Sequence, residues 1–289
     1  MLNVLLVIIG SIAYGFLPIF VKNIIAYDYS SLSIVFYRYF FTAVFLFIII
    51  LVTRKSFKIT KRQFIELLIF SITGLGLTFF FLSQSLLYIS AGLSNMIHFG
   101  YPVIVLFIMI FLFKEKINIL KILSMLCAVS GIFLLTKVVK VESFLGVIYA
   151  LVTTVTYGSY IVANKKCSFS SIDTIVSLFY MSLIVSATFF IAGIFTNSLQ
   201  VLNNINVFYN FIAVSLLCTI FSLGLLLYGV KKLGSSLASI LNMFEPTTTV
   251  VASIFIYNED LTFNIVIGSI LIIFSTITMV IEVRDDYIS

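Results

Sequence analysis

Apolar residues run along this chain in blocks of about twenty, parted by short polar or basic connectors, and the alternation predicts a membrane bundle. A helix needs about 20 mostly apolar residues to cross a bilayer. Runs of that kind lie near 2–22, 32–53, 64–86, 91–113, 119–136, 144–164, 173–195, 207–230, 234–257 and 262–282. They predict an all-α membrane protein of ten transmembrane helices, with no connector long enough for a separate soluble domain. The run from Leu2 has no basic stretch before it and leads into further spans, so it reads as a first transmembrane helix and not as a cleaved signal.

Composition supports the pattern. Of 289 residues, 62% are hydrophobic and 10% charged, with a mean hydropathy of +1.23. Soluble domains carry roughly 45–50% apolar and about 25% charged residues, and one of this size has too little interior to hide the excess. An ordinary cytoplasmic enzyme, a nucleic-acid-binding domain and a disulfide-stapled secreted module are excluded. Cys127, Cys167 and Cys218 are odd in number and form no CxxC, so they indicate neither a disulfide framework nor a metal site.

The net charge of +6 is distributed over the connectors and is a topology signal. With the N-terminus inside, the cytoplasmic connectors hold Arg54, Lys55, Lys58, Lys61, Arg62, Lys114, Lys116, Lys121, Lys165, Lys166, Lys231, Lys232 and Arg284. The external connectors hold only Lys22, Lys137 and Lys140. Thirteen against three predicts that both termini are cytoplasmic, with Arg38 left inside the second span.

The chain repeats itself. At a shift of 144 residues Leu93 falls on Leu237, Pro102 on Pro246, Ile110 on Ile254, Phe111 on Phe255 and Glu115 on Glu259. Near the N-terminus the shift is 143, which brings Tyr14-Gly15 onto Tyr157-Gly158 and Phe36-Tyr37 onto Phe179-Tyr180. The predicted halves are 1–139 and 140–289, each of five spans. Five is odd, so the second half enters the membrane with opposite polarity, placing Glu115 inside and Glu259 outside. Two inverted halves are a common architecture of secondary transporters, with substrate bound near the midplane at their interface. A duplicated membrane scaffold is the other reading.

The stretch from Leu86 to Leu135, with L-Y-I-S-A-G-L-S, Y-P-V-I, F-K-E-K and the S-G-I-F-L-L close, resembles the EamA domain of the drug/metabolite transporter superfamily. The copy from Leu226 to Val280, with E-P-T-T and Y-N-E-D-L, resembles a second EamA domain. The resemblance implies a ten-helix carrier of the bacterial inner membrane, in which helices one to four and six to nine surround a cavity and the fifth and tenth are peripheral. It also implies amino acids or related metabolites as substrates, and export as the direction. Glu245 stands before the second proline where the first half has Tyr101, a departure from the pattern that bears on substrate.

All three prolines, Pro18, Pro102 and Pro246, fall inside predicted spans. A helix-interior proline lacks its N–H and frees the carbonyl four residues earlier, here those of Tyr14, His98 and Asn242. In lipid such a carbonyl must find a partner or line a wet cavity. The prolines of spans four and nine therefore predict two kinked polar places that meet at mid-depth.

Glu245 lies halfway along span nine, where an acidic side chain costs about 2.5–3.5 kcal/mol on insertion scales. One reading makes it the site of a substrate amine or a coupling proton; the other pairs it with Arg38 or a tyrosine. His98, the only histidine, shares a helical face with Asn95, and the ordinary value of an imidazole suits proton coupling. A neutral, hydrogen-bonded interior histidine is the alternative. Asn242 and Ser239 repeat that face in the second half. Arg38 has two placements: it snorkels to the external headgroups, or it faces the cavity and grips a carboxylate with its planar fork. Tyr14 and Tyr157 offer matched aromatic faces and hydroxyls to an amphipathic ligand.

No phosphate-cradling loop, HExxH, GxSxG or CxxC is present, so the sequence offers no ATP motor, hydrolase signature, cofactor or metal site. The partners expected are a small-molecule substrate, lipid and protons, without nucleic acid, for a monomer or homodimer. An intramembrane enzyme using Glu245 and His98 as acid and base is a competing reading.

Overall fold

In lipid every backbone amide must be satisfied within the protein, and a helix does this within one segment. The computed structural model describes residues 2–85, 87–89, 91–115, 119–135, 143–257 and 263–288, and among these there is no β-strand. The chain opens with α1 (Leu2–Tyr14), α2 (Leu17–Ile25) and α3 (Ser31–Val52). Next come α4 (Lys61–Phe70), a π-helical segment Ser71–Gly76, and α5 (Leu77–Ser85). Then follow α6 (Ala91–His98), α7 (Tyr101–Phe111), α8 (Ile119–Leu135), α9 (Phe144–Lys166) and α10 (Thr174–Phe195). The chain closes with α11 (Ile205–Ala213), a second π-helical segment Val214–Leu223, α12 (Gly224–Leu233), α13 (Ser235–Leu241), α14 (Phe244–Tyr257) and α15 (Phe263–Ile288).

Among the described residues six stretches are long and apolar enough to cross a membrane: 2–25, 31–52, 61–85, 144–166, 174–195 and 205–233. Shorter apolar helices cover Tyr101–Phe111, Ile119–Leu134 and Val266–Ser275. Large apolar side chains point outward along them, among them Phe107, Phe195 and Phe274, while Ser11, Arg38, Thr42 and Thr219 are buried. Apolar outside and hydroxyl-rich within is the arrangement of a multi-pass membrane protein.

Polar residues at the connectors start the helices. Ser30 accepts from the Ser33 N–H ahead of α3, Thr60 and Gln63 cap each other ahead of α4, and Asp173 accepts from the Ile175 N–H ahead of α10. Lys165 and Lys166 close α9, and Lys231 and Lys232 close α12, where cations suit the carbonyl end.

The basic connectors gather at one end of the bundle. Lys55 Nζ meets Asp173 Oδ2 at 2.6 Å, Lys165 Nζ donates to the Lys231 carbonyl, and Lys231 Nζ donates to the Ile172 carbonyl. At the other end the Ser30 and Ser33 hydroxyls donate to the Ser198 carbonyl, and Gln200 Nε2 donates to the Asp28 carbonyl. Helices α3 and α10, which the 143-residue shift pairs, thus lie side by side and antiparallel. Helices α8 and α15 are antiparallel as well: Ser275 Oγ donates to the Ser124 carbonyl at 2.6 Å, and a methyl on Gly131 would stand 2.7 Å from the Gly268 carbonyl.

Three predicted single spans are each two helices. The chain breaks between α1 and α2, between α6 and α7, and between α13 and α14, each time just ahead of a proline. Pro18 and Pro102 sit in the first turn of the new helix, where the missing N–H costs nothing. Lys116, Lys137, Lys140, Glu259 and the junction expected at 139–140 lie outside the described residues.

Candidate functional site

The three breaks are tight turns. Bonds of three-residue span, Gly100 N–H to Ile97 O and Met243 N–H to Ile240 O, tighten the chain ahead of Tyr101 and Phe244. Threonines on neighbouring helices collect the exposed oxygens. Thr249 Oγ1 donates to the Gly15 carbonyl at 2.9 Å, and Thr154 Oγ1 to the Ile97 carbonyl at 2.8 Å. The Asn242 carbonyl, expected to be freed by Pro246, accepts instead from the Glu245 N–H at 3.0 Å.

A cavity of about 260 Å³ lies where these breaks meet. Tyr14, Leu17 and Pro18 line it from the first break, and Thr78, Phe79 and Leu82 from α5. The second break supplies Asn95, His98, Phe99 and Tyr101, and the third supplies Glu245, Pro246 and Thr249. Tyr157 of α9 and Ile132 of α8 complete it. Helix α8 is the fifth predicted span, so the expectation of a purely peripheral fifth helix is corrected. Almost every lining residue lies at the midpoint of its span or beyond it, toward the end that carries Ser30 and Ser198. The volume is near the lower bound of ligand pockets, about 300 Å³.

Glu245 is 8% exposed and is held by one amide. Asn242 Nδ2 donates to Glu245 Oε2 and to the Tyr101 hydroxyl, both at 3.1 Å, and Asn242 Oδ1 accepts from Ser11 Oγ at 3.0 Å. The Tyr101 hydroxyl in turn donates to the Ser239 carbonyl. Among the described residues nothing donates to Glu245 Oε1, and no cation lies within 4 Å of the carboxylate. Asn242 and Ser239 were expected to repeat the cavity face of His98 and Asn95. They do not line it. All seven residues of α13 are buried, and these two are turned into its packing, Ser239 Oγ donating to the Ser236 carbonyl.

His98 Nδ1 lies 2.9 Å from Thr153 Oγ1, and that hydroxyl donates to the Ala150 carbonyl at 2.6 Å. The Thr153 hydroxyl thus bridges the imidazole and the α9 backbone. The Tyr157 ring stands 5.4 Å from the imidazole and edge-on to Tyr101 at 4.8 Å.

Arg38 takes neither of its two predicted placements. It is 3% exposed, so it does not reach the headgroups, and it does not line the cavity. It stands behind Tyr14 and Phe79, donating from Nη2 to the Tyr14 hydroxyl at 3.1 Å and from Nε to Thr219 Oγ1 at 2.9 Å. Its guanidinium carbon lies 4.3 Å from the Phe79 ring centre, a cation–π contact. Among the described residues no carboxylate is within 4 Å of it. Pro102 is buried off the cavity, whereas Pro18 and Pro246 border it.

Two glycines seat the first helix of each predicted half. A methyl on Gly15 would stand 2.7 Å from Thr248 Cβ and 2.9 Å from the Glu245 carbonyl. A methyl on Gly158 would stand 3.0 Å from Ile104 Cβ and 3.2 Å from the Tyr101 carbonyl. The partners match at the 144-residue shift. Phe79, Leu82 and Ile132 carried no sequence signal, being apolar residues in a chain with 31 phenylalanines. Thr249, one turn after Glu245, was visible as part of the run Thr247–Thr249. Among the described residues no three His, Cys, Asp or Glu side chains come together to hold a metal ion.

The family model described as the EamA-like transporter family matches residues 1–137 and again 144–281. An uncharacterized transporter of Clostridium kluyveri is 24% identical over 239 residues, covering 77% of this chain and 74% of that protein. The uncharacterized transporter YoaV of Bacillus subtilis is 24% identical over 243 residues, covering 81% of this chain and 82% of its own. A solved crystal structure, 15% identical, superposes with a TM-score of 0.82 over 98% of both chains and so has the same fold.

Proposed function

The chain belongs to the EamA-like transporter family, and from that premise we propose that it is a secondary carrier, most simply an exporter, of small amphipathic metabolites such as amino acids or related amines. The observation that carries the reading is Glu245, the one carboxylate among the described lining residues, at mid-depth in a cavity whose wall includes the rings of Tyr14, Phe79, Phe99, Tyr101 and Tyr157. Aromatic walls accept an apolar body, and Glu245 Oε1 accepts its amine or, in the empty carrier, a proton. With Arg38 withdrawn behind Tyr14, a substrate carboxylate meets the guanidinium only through the tyrosine hydroxyl.

Several features support two inverted five-helix halves with both termini in the cytoplasm of a bacterium. Helices α3 and α10 pair at the repeat shift and run oppositely, both π-helical segments fall at matching places, and the basic connectors collect at one end. The cavity extends toward the opposite end, so this arrangement is the outward-facing one, and rocking at the three breaks turns the same residues inward. The carrier works as a monomer or homodimer in the inner membrane.

Counterflow into proteoliposomes tests this. Vesicles preloaded with a panel of amino acids and amines should accumulate the labelled species only for amphipathic amines, and Glu245→Gln should lower it by about 10- to 100-fold. Accumulation of carboxylates lacking an amine, undiminished in Glu245→Gln, refutes the assignment.

A further inference from the structure

A second cavity, of about 630 Å³, opens at the basic end of the bundle between α3, α10 and α12, remote from Glu245. Its wall is apolar, with Ile220, Phe221 and Leu225 along one side. Phe221 is 44% exposed on the lipid-facing surface, so the groove continues outward from the bundle. Gly224 keeps the floor open: a methyl there would meet nothing nearer than Leu178 Cδ2 at 3.9 Å. The rim carries Lys55, Lys231 and Lys232 with one carboxylate, Asp173.

The charges on that rim do not balance. Lys55 is matched by Asp173 at 2.6 Å. Lys231 Nζ makes one bond, to the neutral Ile172 carbonyl, and keeps two further donors; Lys232 Nζ lies 5.9 Å from the Tyr228 ring centre. Among the described residues neither ammonium has a carboxylate within 4 Å. Two cations beside an apolar slot at the end of the membrane-crossing helices call for a ligand with an anionic head and an apolar tail. Such basic pockets between transmembrane helices suit acidic lipid headgroups. We propose that this groove binds an anionic phospholipid of the leaflet at the basic end, its phosphate between Lys231 and Lys232 and one acyl chain along Phe221 and Leu225. The site is independent of the carrier reading.

Thermal unfolding of the full-length protein in neutral detergent tests the proposal, with phosphatidylglycerol, phosphatidylcholine or inorganic phosphate added. Phosphatidylglycerol should raise the melting temperature by about 4 °C, the size of shift that saturable binding to the folded state gives a chain of this length. Phosphatidylcholine and inorganic phosphate should not. Lys232→Gln alters an exposed side chain and should lose most of the shift; Gly224→Leu fills the groove without touching charge and should lose it too. Lys58→Gln with Lys61→Gln, both outside the groove, should keep it. An equal shift with inorganic phosphate makes this a soluble-anion site, an equal shift with phosphatidylcholine removes the headgroup requirement, and loss of the shift in the Lys58/Lys61 variant reduces it to diffuse surface charge. Each of these overturns the lipid assignment, as does no shift at all.

Discussion

Tyr101 and Glu245 stand 144 residues apart at matched positions of the repeat, and one amide, Asn242 Nδ2, donates to both at 3.1 Å. The two hydrogens of that amide are thereby spent on the two side chains in which the halves differ. Asn242 Oδ1, held by Ser11 Oγ at 3.0 Å, fixes which way the amide faces. Replacing it with leucine leaves the Ser11 hydroxyl its bond to the Val7 carbonyl and the Tyr101 phenol its bond to the Ser239 carbonyl, but takes from Glu245 its one side-chain donor among the described residues. Each unsatisfied buried group costs about 1–3 kcal/mol, so Asn242→Leu should lower the detergent melting temperature more than Ser239→Ala, which loses only one local bond.

Glu245 is the group whose chemistry the carrier reading needs. Glu245→Gln keeps the shape and the Asn242 contact, with the side-chain amide rotated to accept, and removes only the charge. A hydrogen bond to a charged group is worth about 1.5–3 kcal/mol, so counterflow of an amine substrate should fall by about 10- to 100-fold. The pH dependence of the flux should vanish while the folded yield is unchanged. Unaltered flux and pH profile would take Glu245 out of the mechanism.

Arg38 behaves as a support for the cavity wall. Its planar fork spans Tyr14 and Thr219 while its face lies on Phe79, and a lysine ammonium cannot make the three contacts at once. Arg38→Lys should therefore destabilise the fold by about 1–3 kcal/mol. It should also raise the half-saturating substrate concentration through a mobile Tyr14, leaving the pH profile of flux intact. A changed pH profile with unchanged affinity would instead give Arg38 a part in proton transfer.

These contrasts mark what the sequence could reveal. The long apolar runs, three prolines and the basic connectors were legible because lipid enforces length, and because a missing N–H or a buried charge is rare. The duplicated Tyr-Gly pairs were legible as a repeat, but their use was not: the glycine is what lets α1 and α9 reach Glu245 and Tyr101. Asn242 was placed in the cavity because helical periodicity gives faces within one helix. A break of one turn rotates the following face, and periodicity does not say which neighbour the face meets. Phe79 and Arg38 were hidden for a related reason, since a cation–π seat depends on two helices whose angle no local pattern encodes.

Gly15 and Gly158 supply a paired test of the close helix crossings. Adding a methyl at Gly15 brings it against Thr248 and the Glu245 carbonyl, and backbone cannot step aside as a flexible side chain can. Overpacking of this kind costs about 1–3 kcal/mol. Gly15→Ala should lower the melting temperature and slow transport, whereas Gly224→Ala, which meets nothing nearer than 3.9 Å, should do neither. Equal tolerance at both positions would show that α1 is free to withdraw from α14.

Asp173 gives the bundle a pH-sensitive clasp outside the membrane-spanning helices. Burial pushes its carboxyl up, but the Lys55 ammonium at 2.6 Å and the Ile175 N–H at 2.9 Å outweigh it and hold the carboxyl below its ordinary value. A carboxyl lowered by folding stabilises the folded state above its unfolded value, about 3.9. That contribution is lost as pH falls through the lower folded value. The aspartate also caps α10 and ties the connector after α3 to it. Asp173→Asn should therefore melt below the parent at neutral pH, and the gap should close on acidification, as the pH falls below the unfolded value and on through the lower folded one. Lys55→Gln should narrow the gap in the same window while leaving the cap in place. A gap that persists unchanged at low pH would mean that the cap alone, and not the ion pair, is what Asp173 contributes.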